Sequence, residues 1–403
     1  MPRPPERILA FIGVMLALPA WAGQPLQPLI DATPTGGVLR LAPSEYSGPA
    51  VIARPMRLEG AGRAIVRGNG QGTVLVVRTR SASVRGLSIR GSGESHDRID
   101  AGIQVEGDDN RIEDNVVADA LFGIHVKQGN RNRIAGNRIT GKDLPLGMRG
   151  DGLRLWNSRH NLIEGNDIRR VRDLTFANSP DNHIRGNTLR DGRYGMQFIF
   201  SPRALIEAND LAGTATGIVA LYSPGLTVRD NRVAHALDGG GAGIMFKESG
   251  DAMVEGNEVL HCAAGLTANA PPNDIAVITV RGNRFSHNII GMYFYGEKGG
   301  HRIVGNRLEH NLTQVMVSAA GAASANVWQD NYWSDYEGFD RDGDGRGDTP
   351  HELNAYADRI WMETPMTAFF RNSPAFEFLD FLERLAPFAA PTLILRDPQP
   401  RTR

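Results

Sequence analysis

Along much of this chain apolar residues fall at every second position over very short stretches, and a glycine usually opens each stretch. The phrase glycine, apolar, any residue, apolar appears as Gly102-Ile-Gln-Val105, Gly123-Ile-His-Val126 and Gly152-Leu-Arg-Leu155. It returns as Gly195-Met-Gln-Phe198, Gly243-Ile-Met-Phe246 and Gly291-Met-Tyr-Phe294. Such alternation predicts short strands with one buried face. No helical period separates the strands, which argues against leucine-rich or α/β solenoids.

A second phrase is framed by asparagines. Asn110-Arg-Ile-Glu-Asp-Asn115 recurs as Asn132-Arg-Ile-Ala-Gly-Asn137, Asn161-Leu-Ile-Glu-Gly-Asn166 and Asn182-His-Ile-Arg-Gly-Asn187. Looser copies end at Asn209, Asn231, Asn257, Asn283, Asn306 and Asn331, at intervals of about 21 to 29 residues, the period of a solenoid. Two or three short strands per turn predict an all-β fold, a single-stranded right-handed parallel β-helix of roughly a dozen coils. The asparagines then sit at corners, where they tolerate left-handed backbone and stack their amides from coil to coil. Upstream, 38–41, 56–58, 65–66 and 74–77 read as further strands that begin and cap the helix. Residues 80–91 carry a weak copy of the asparagine phrase, with Leu87 in place of asparagine. Insertions at 93–100 and 142–150 lengthen two coils, and such protruding loops are the expected binding surface.

Composition adjusts this picture only slightly. Glycine is abundant (47 residues) and aromatics are scarce (7%), as repeated tight corners and small cores require. The formal net charge of -1 offers no basic field for nucleic acid. At the N-terminus Arg3 and Arg7, an apolar run over 8–18 and Ala20-Trp-Ala22 read as a signal peptide, residues 1–22, that exports the chain to the periplasm. The β-helix is expected over 23–333, and a loop and extension over 334–403.

Three features carry candidate chemistry. His235, His261, His287 and His310 each follow a corner asparagine by four residues, so coils in register stack four imidazoles at about the interstrand spacing, ~5 Å. Imidazole suits copper or zinc; a polar stack like Asp119 or Asp191 in other coils is the plainer reading. Met245 and Met316 occupy outward strand positions, as does His125, and their soft thioethers are candidates for transient Cu(I). Met196 and Met292 face inward. Cys262 is the lone cysteine, so no disulfide framework exists, and its neighbour His261 leaves a metal role open. The third feature is Asp340-Arg-Asp-Gly-Asp-Gly-Arg-Gly-Asp348. It places Asp340, Asp342, Asp344 and Asp348 at carboxylate positions of a calcium-type loop, with Arg346 supplying a carbonyl. The twelfth position is His351 rather than glutamate, with Glu352 as a substitute, and a structural Ca²⁺ is expected. Beyond it, 368–388 reads as an amphipathic helical segment that caps the open end or docks on a membrane-embedded partner.

The run Asn331-Tyr-Trp-Ser-Asp-Tyr336, the acidic loop through Pro350, Tyr356-Ala-Asp-Arg-Ile-Trp361, Leu379-Asp-Phe-Leu-Glu-Arg-Leu-Ala-Pro387 and Leu395-Arg-Asp-Pro398 closely resemble the NosD family. The resemblance implies a periplasmic, non-enzymatic accessory of nitrous oxide reductase maturation. It further implies work with an ABC transporter whose permease and ATPase are NosY and NosF. The reductase NosZ and the copper lipoprotein NosL are the other implied partners, and membrane contact runs only through partners. The competing class is a carbohydrate-active β-helix enzyme, a polysaccharide lyase or epimerase. Such chemistry needs clustered acids with a basic residue in one groove, and no compact acid-plus-arginine set across neighbouring coils is legible in the sequence.

Overall fold

The computed structural model describes residues 23–269, 276–296, 299–318, 323–355, 373–374, 378, 381–382, 385 and 392–402. The signal-peptide segment 1–22 and most of the expected helical segment 368–388 lie outside them. The described chain is a parallel β-solenoid of about 13 turns. A typical coil contributes three short strands, such as Arg133–Ala135, Arg138–Gly141 and Leu153–Trp156. Each strand pairs in parallel with its counterparts one coil above and below. Ile134 stands between Ile112 and Ile163, Ile139 between Val117 and Ile168, and Leu155 between Val126 and Phe176. The inward residues form one continuous core from Leu26 to Leu395, because a coil too thin to bury its own apolar face buries it on its neighbours.

The corner asparagines are buried and form a ladder. Asn209 Oδ1 accepts from the backbone N and the Nδ2 of Asn187, both at 2.9 Å, while Asn209 Nδ2 donates to Ile184 O and Asn231 Oδ1. The left-handed backbone expected of these asparagines falls one residue earlier, on Asp114, Gly136, Ala208, Asp230 and Gly256 among others. The turn is thus made by the residue before the asparagine, and the asparagine satisfies the backbone groups that the turn leaves unpaired.

Two of the three outer faces are laced by charge. Glu164 pairs with Arg133 at 2.7 Å and with Arg185 at 2.5 Å on the first, and Arg284 bridges Glu258 and Glu309 on the second. The third face differs. Its outward column runs Gln104, His125, Arg154, Thr175, Gln197, Val219, Met245, Thr267, Tyr293, Met316, almost free of charge.

Both ends of the solenoid are closed. The helix Leu26–Ala32 buries Leu26 and Ile30 over the first coil, and Arg54 ties down the carbonyls of Ile30 and Asp31 in its last turn and that of Thr33 just beyond it. At the other end the antiparallel pair His351–Ala355 and Thr392–Asp397 buries Leu395. Among the described residues this pair covers the last coil. Asp397 Oδ2 accepts from the backbone N and Nδ2 of Asn331, so a carboxylate ends the asparagine ladder. Of the helical segment, Phe378, Phe381 and Leu385 are described, helical and exposed. The two inserted loops close on each other: Lys142 pairs with Glu94 at 3.6 Å, and His96 Nε2 lies 3.1 Å from Met148 O.

Candidate metal centre: a histidine ladder

Where the second strand of a coil turns into the third, one residue must adopt positive φ. Asp119, Arg170, Asp191 and Gly213 fill that position in earlier coils, and His235, His261, His287 and His310 fill it in four consecutive later ones, with φ of 59°, 52°, 56° and 53°. Histidine is among the residues that tolerate this conformation. The turn points each imidazole into solvent, and parallel pairing holds the rings in register. Ring centroids are 5.3, 5.2 and 5.3 Å apart down the column, with interplanar angles of 6°, 37° and 49°. Ser286 Oγ lies 2.7 Å from His287 Nδ1, which occupies that nitrogen and leaves Nε2 outward.

This spacing limits the chemistry. Neighbouring rungs can share one ion, but next-but-one rungs are roughly 10 Å apart at the interstrand spacing. No three of these imidazoles converge; among the described residues the metal-type cluster of three or more acids or imidazoles is Asp340, Asp342 and Asp344. A two-donor imidazole site suits a soft, low-coordinate ion such as Cu(I) better than one demanding four ligands.

Cys262 does not join the ladder. It is fully buried, its Sγ 3.3 Å from Leu260 O, and burial pushes its thiol up to about 11. Alternation explains this, since the residue after an outward histidine faces the core. Met245 and Met316 share the outward column of the third face, but Thr267 and Tyr293 stand between them. They are three coils, roughly 14 Å, apart, and Met316 lies six residues along the chain from His310. The two methionines and the ladder therefore form no common site in this geometry.

In the acidic loop one oxygen each from Asp340, Asp342 and Asp344 lies within 4.8 Å of the others. Backbone N–H groups of Gly343 and Gly345 donate to Asp340, that of Asp344 to Asp342, and that of Arg346 to Asp344. Asp348 is turned to Arg341 N, and the Arg346 guanidinium pairs with Asp330 at 2.8 Å. Neither residue considered for the last ligand position reaches the loop: His351 is buried on Trp333, and Glu352 pairs with Arg396.

One set escaped the sequence reading. Asp151 and Asp173, both buried, meet Arg154, Arg172 and Arg193 across neighbouring coils. The expectation of no compact acid-plus-arginine set is therefore corrected. Both carboxylates are engaged: Asp151 accepts from Arg154 and Arg172 at 3.0 Å, and Asp173 from Arg172, Arg193 and Tyr194 N. Burial holds the Asp151 carboxyl above its ordinary range, against the pull of Arg172. Arg154, from the outward column of the third face, joins this set, and one rung away His125 is buried with both ring nitrogens unpartnered. The set was missed because no repeated phrase carries it, although its members stand about one coil apart, Asp151 21 residues before Arg172 and Asp173 20 before Arg193.

Comparison with known proteins fits the C-terminal coils that carry the ladder. The profile of the family described as "Periplasmic copper-binding protein (NosD)" matches residues 136–338. A "Probable ABC transporter binding protein NosD" from Pseudomonas aeruginosa is 28% identical over 389 residues, covering 93% of this chain and 90% of that protein. A protein of the same description from Stutzerimonas stutzeri is 27% identical over 376 residues, covering 86% and 83%. Among solved structures, the Dettilon tailspike protein aligns with a TM-score of 0.46 and 15% identity over 80% of this chain and 64% of its own, under two thirds of the tailspike's length. With half of the chain matched by one family profile, histidine rungs included, this protein belongs to the NosD family.

Proposed function

We propose that this protein is a non-catalytic periplasmic accessory of nitrous oxide reductase maturation, exported by its N-terminal segment. In this reading it acts with the ABC transporter of NosY and NosF in assembling the copper centres of NosZ, and receives Cu(I) from NosL. The observation that carries the reading is the ladder of four exposed imidazoles at 5.2–5.3 Å, on a chain whose family is described as copper-binding. Each neighbouring pair holds one Cu(I), and an ion moves along the column by exchanging one rung for the next. Exposure of the rungs suits transfer to a partner rather than storage. A structural Ca²⁺ in the acidic loop is part of the same proposal, held by Asp340, Asp342 and Asp344.

The test is a deletion strain complemented with the full chain or with H261N/H287N, followed by copper content of the purified reductase. Asparagine is chosen because it tolerates the left-handed backbone of these corners. We expect a metal-poor reductase in the deletion strain, partial loading with the variant, and less Cu(I) retained by the purified variant. A fully loaded reductase without this protein overturns the proposal. The buried Asp151 and Asp173 set favours a second reading, a uronate-acting enzyme, which turnover of uronate polysaccharides by the purified protein would support.

A further inference from the structure

The ladder does not end on an imidazole. Arg307 and Leu308 pair with Tyr332 and Trp333, and the same register sets residue 335 below His310. That residue is Asp335. His310 N donates to Ser334 Oγ at 2.8 Å, so the two coils are tied at this corner. Asp335 Oδ1 in turn lies 3.8 Å from Nε2 of His351, a residue of the C-terminal extension.

His351 is unlike the histidines of the column. It is 7% exposed, stacked on Trp333 at 4.7 Å and edge-on to Tyr336 at 5.9 Å. Its Nε2 is buried without a hydrogen-bond partner. A gap of 3.8 Å is too long for a hydrogen bond. It is close to the separation of two donors on one ion, since bonds of about 2.1 Å meeting near the tetrahedral angle hold donors roughly 3.4 Å apart. A buried polar atom aimed at a carboxylate and bonded to nothing is the sort of exception that an ion explains.

We propose that Asp335 and His351, with His310 one rung above, form a second metal site at the foot of the ladder that takes a divalent ion of the Zn(II) or Cu(II) class. It deepens the copper-ladder reading and depends on it only through His310. The carboxylate makes this donor set harder than the imidazole pairs, and water completes the coordination, so it selects a divalent ion where the pairs select Cu(I). Asp335 is about half exposed, and its Oδ1 also accepts from Gln314 Nε2 at 3.3 Å. Occupancy of the site requires the carboxylate to leave Gln314 and turn toward His310. The ion joins the last coil, through Asp335, to the strand pair that closes the solenoid, through His351. Occupancy therefore clasps the C-terminal extension to the ladder.

The experiment titrates the full-length protein with Zn(II) alone and, separately and without oxygen, with Cu(I) alone. The proteins are wild type, D335N, H351Q, D342A and H261N/H287N. Asparagine at position 335 keeps an Oδ1 that can accept from Gln314 Nε2, so D335N keeps the test open if H351Q fails to fold. We expect D335N to weaken Zn(II) binding at least tenfold and to leave Cu(I) retention at the upper rungs unchanged. H261N/H287N should do the reverse. Zn(II) affinity unchanged in D335N, or lost only in D342A, overturns the second site. Cu(I) retention unchanged in H261N/H287N overturns the ladder instead, so the two failures are separable.

Discussion

At the scale of single residues, position within the strand alternation decides which side chain meets solvent and which meets the core. His261 and Cys262 are neighbours in sequence with opposite fates, one exposed on the ladder and the other buried with its thiol raised. His125 shows the limit of that logic. Its outward position was legible, but its burial was not, and burial with Arg154 and Lys127 nearby lowers its imidazole to about 4. The unfolded chain takes up a proton near pH 6.5 and the folded chain does not until about 4, so stability is full above the upper value and falls as pH drops through this window. The loss is at most roughly 3 kcal/mol. Denaturant unfolding of wild type and H125Q from pH 7 to pH 4 checks this. We expect the variant to lose less stability over that range, and parallel curves would exclude His125 as the cause.

At the scale of the element, the corner is the unit this sequence encodes. Each corner couples a residue of positive φ to an asparagine whose amide serves the coils on either side, which is why the asparagine phrase could be read directly. The ladder predicts a large cost for an interior rung. Asn209→Ala would strand Asn187 N and Ile184 O in the core, and a loss on the order of 3 kcal/mol is expected. Asn231→Ala should behave alike, while a change at an exposed histidine rung should shift stability far less. Urea unfolding midpoints of the three variants measure this, and an Asn209→Ala midpoint near wild type would remove the ladder from the account of stability. The histidine column was legible for the same reason as the asparagines, by its fixed offset of four residues. The foot of the ladder was not, since Asp335 keeps that offset from Asn331 but differs in kind, and His351 arrives from beyond the repeat.

At the scale of the whole molecule, the solenoid has two charged faces, one nearly neutral face, and ends closed by unlike devices. The extension that closes the last coil contains the acidic loop, and Thr402 Oγ1 reaches Asp340 at 3.3 Å, so the loop also holds the chain terminus. Calcium bound there should raise the thermal midpoint of wild type and leave that of D342A where it was; a D342A deficit of equal size with chelator present would make the aspartate merely structural. The chain's periodicity by itself determined the β-helix, the inward residues, the asparagine ladder and the histidine column, because all four depend on spacings within one coil or between adjacent coils. Tertiary structure alone decided the rest: the helix Leu26–Ala32 over the first coil, Asp397 as the last rung, the Asp151 and Asp173 ion-pair set, and His351 facing Asp335. The helix, Asp397 and His351 reach the solenoid across separations that follow no period, while the ion-pair set spans one coil but depends on which side chains turn toward each other; both are fixed only when the chain closes on itself.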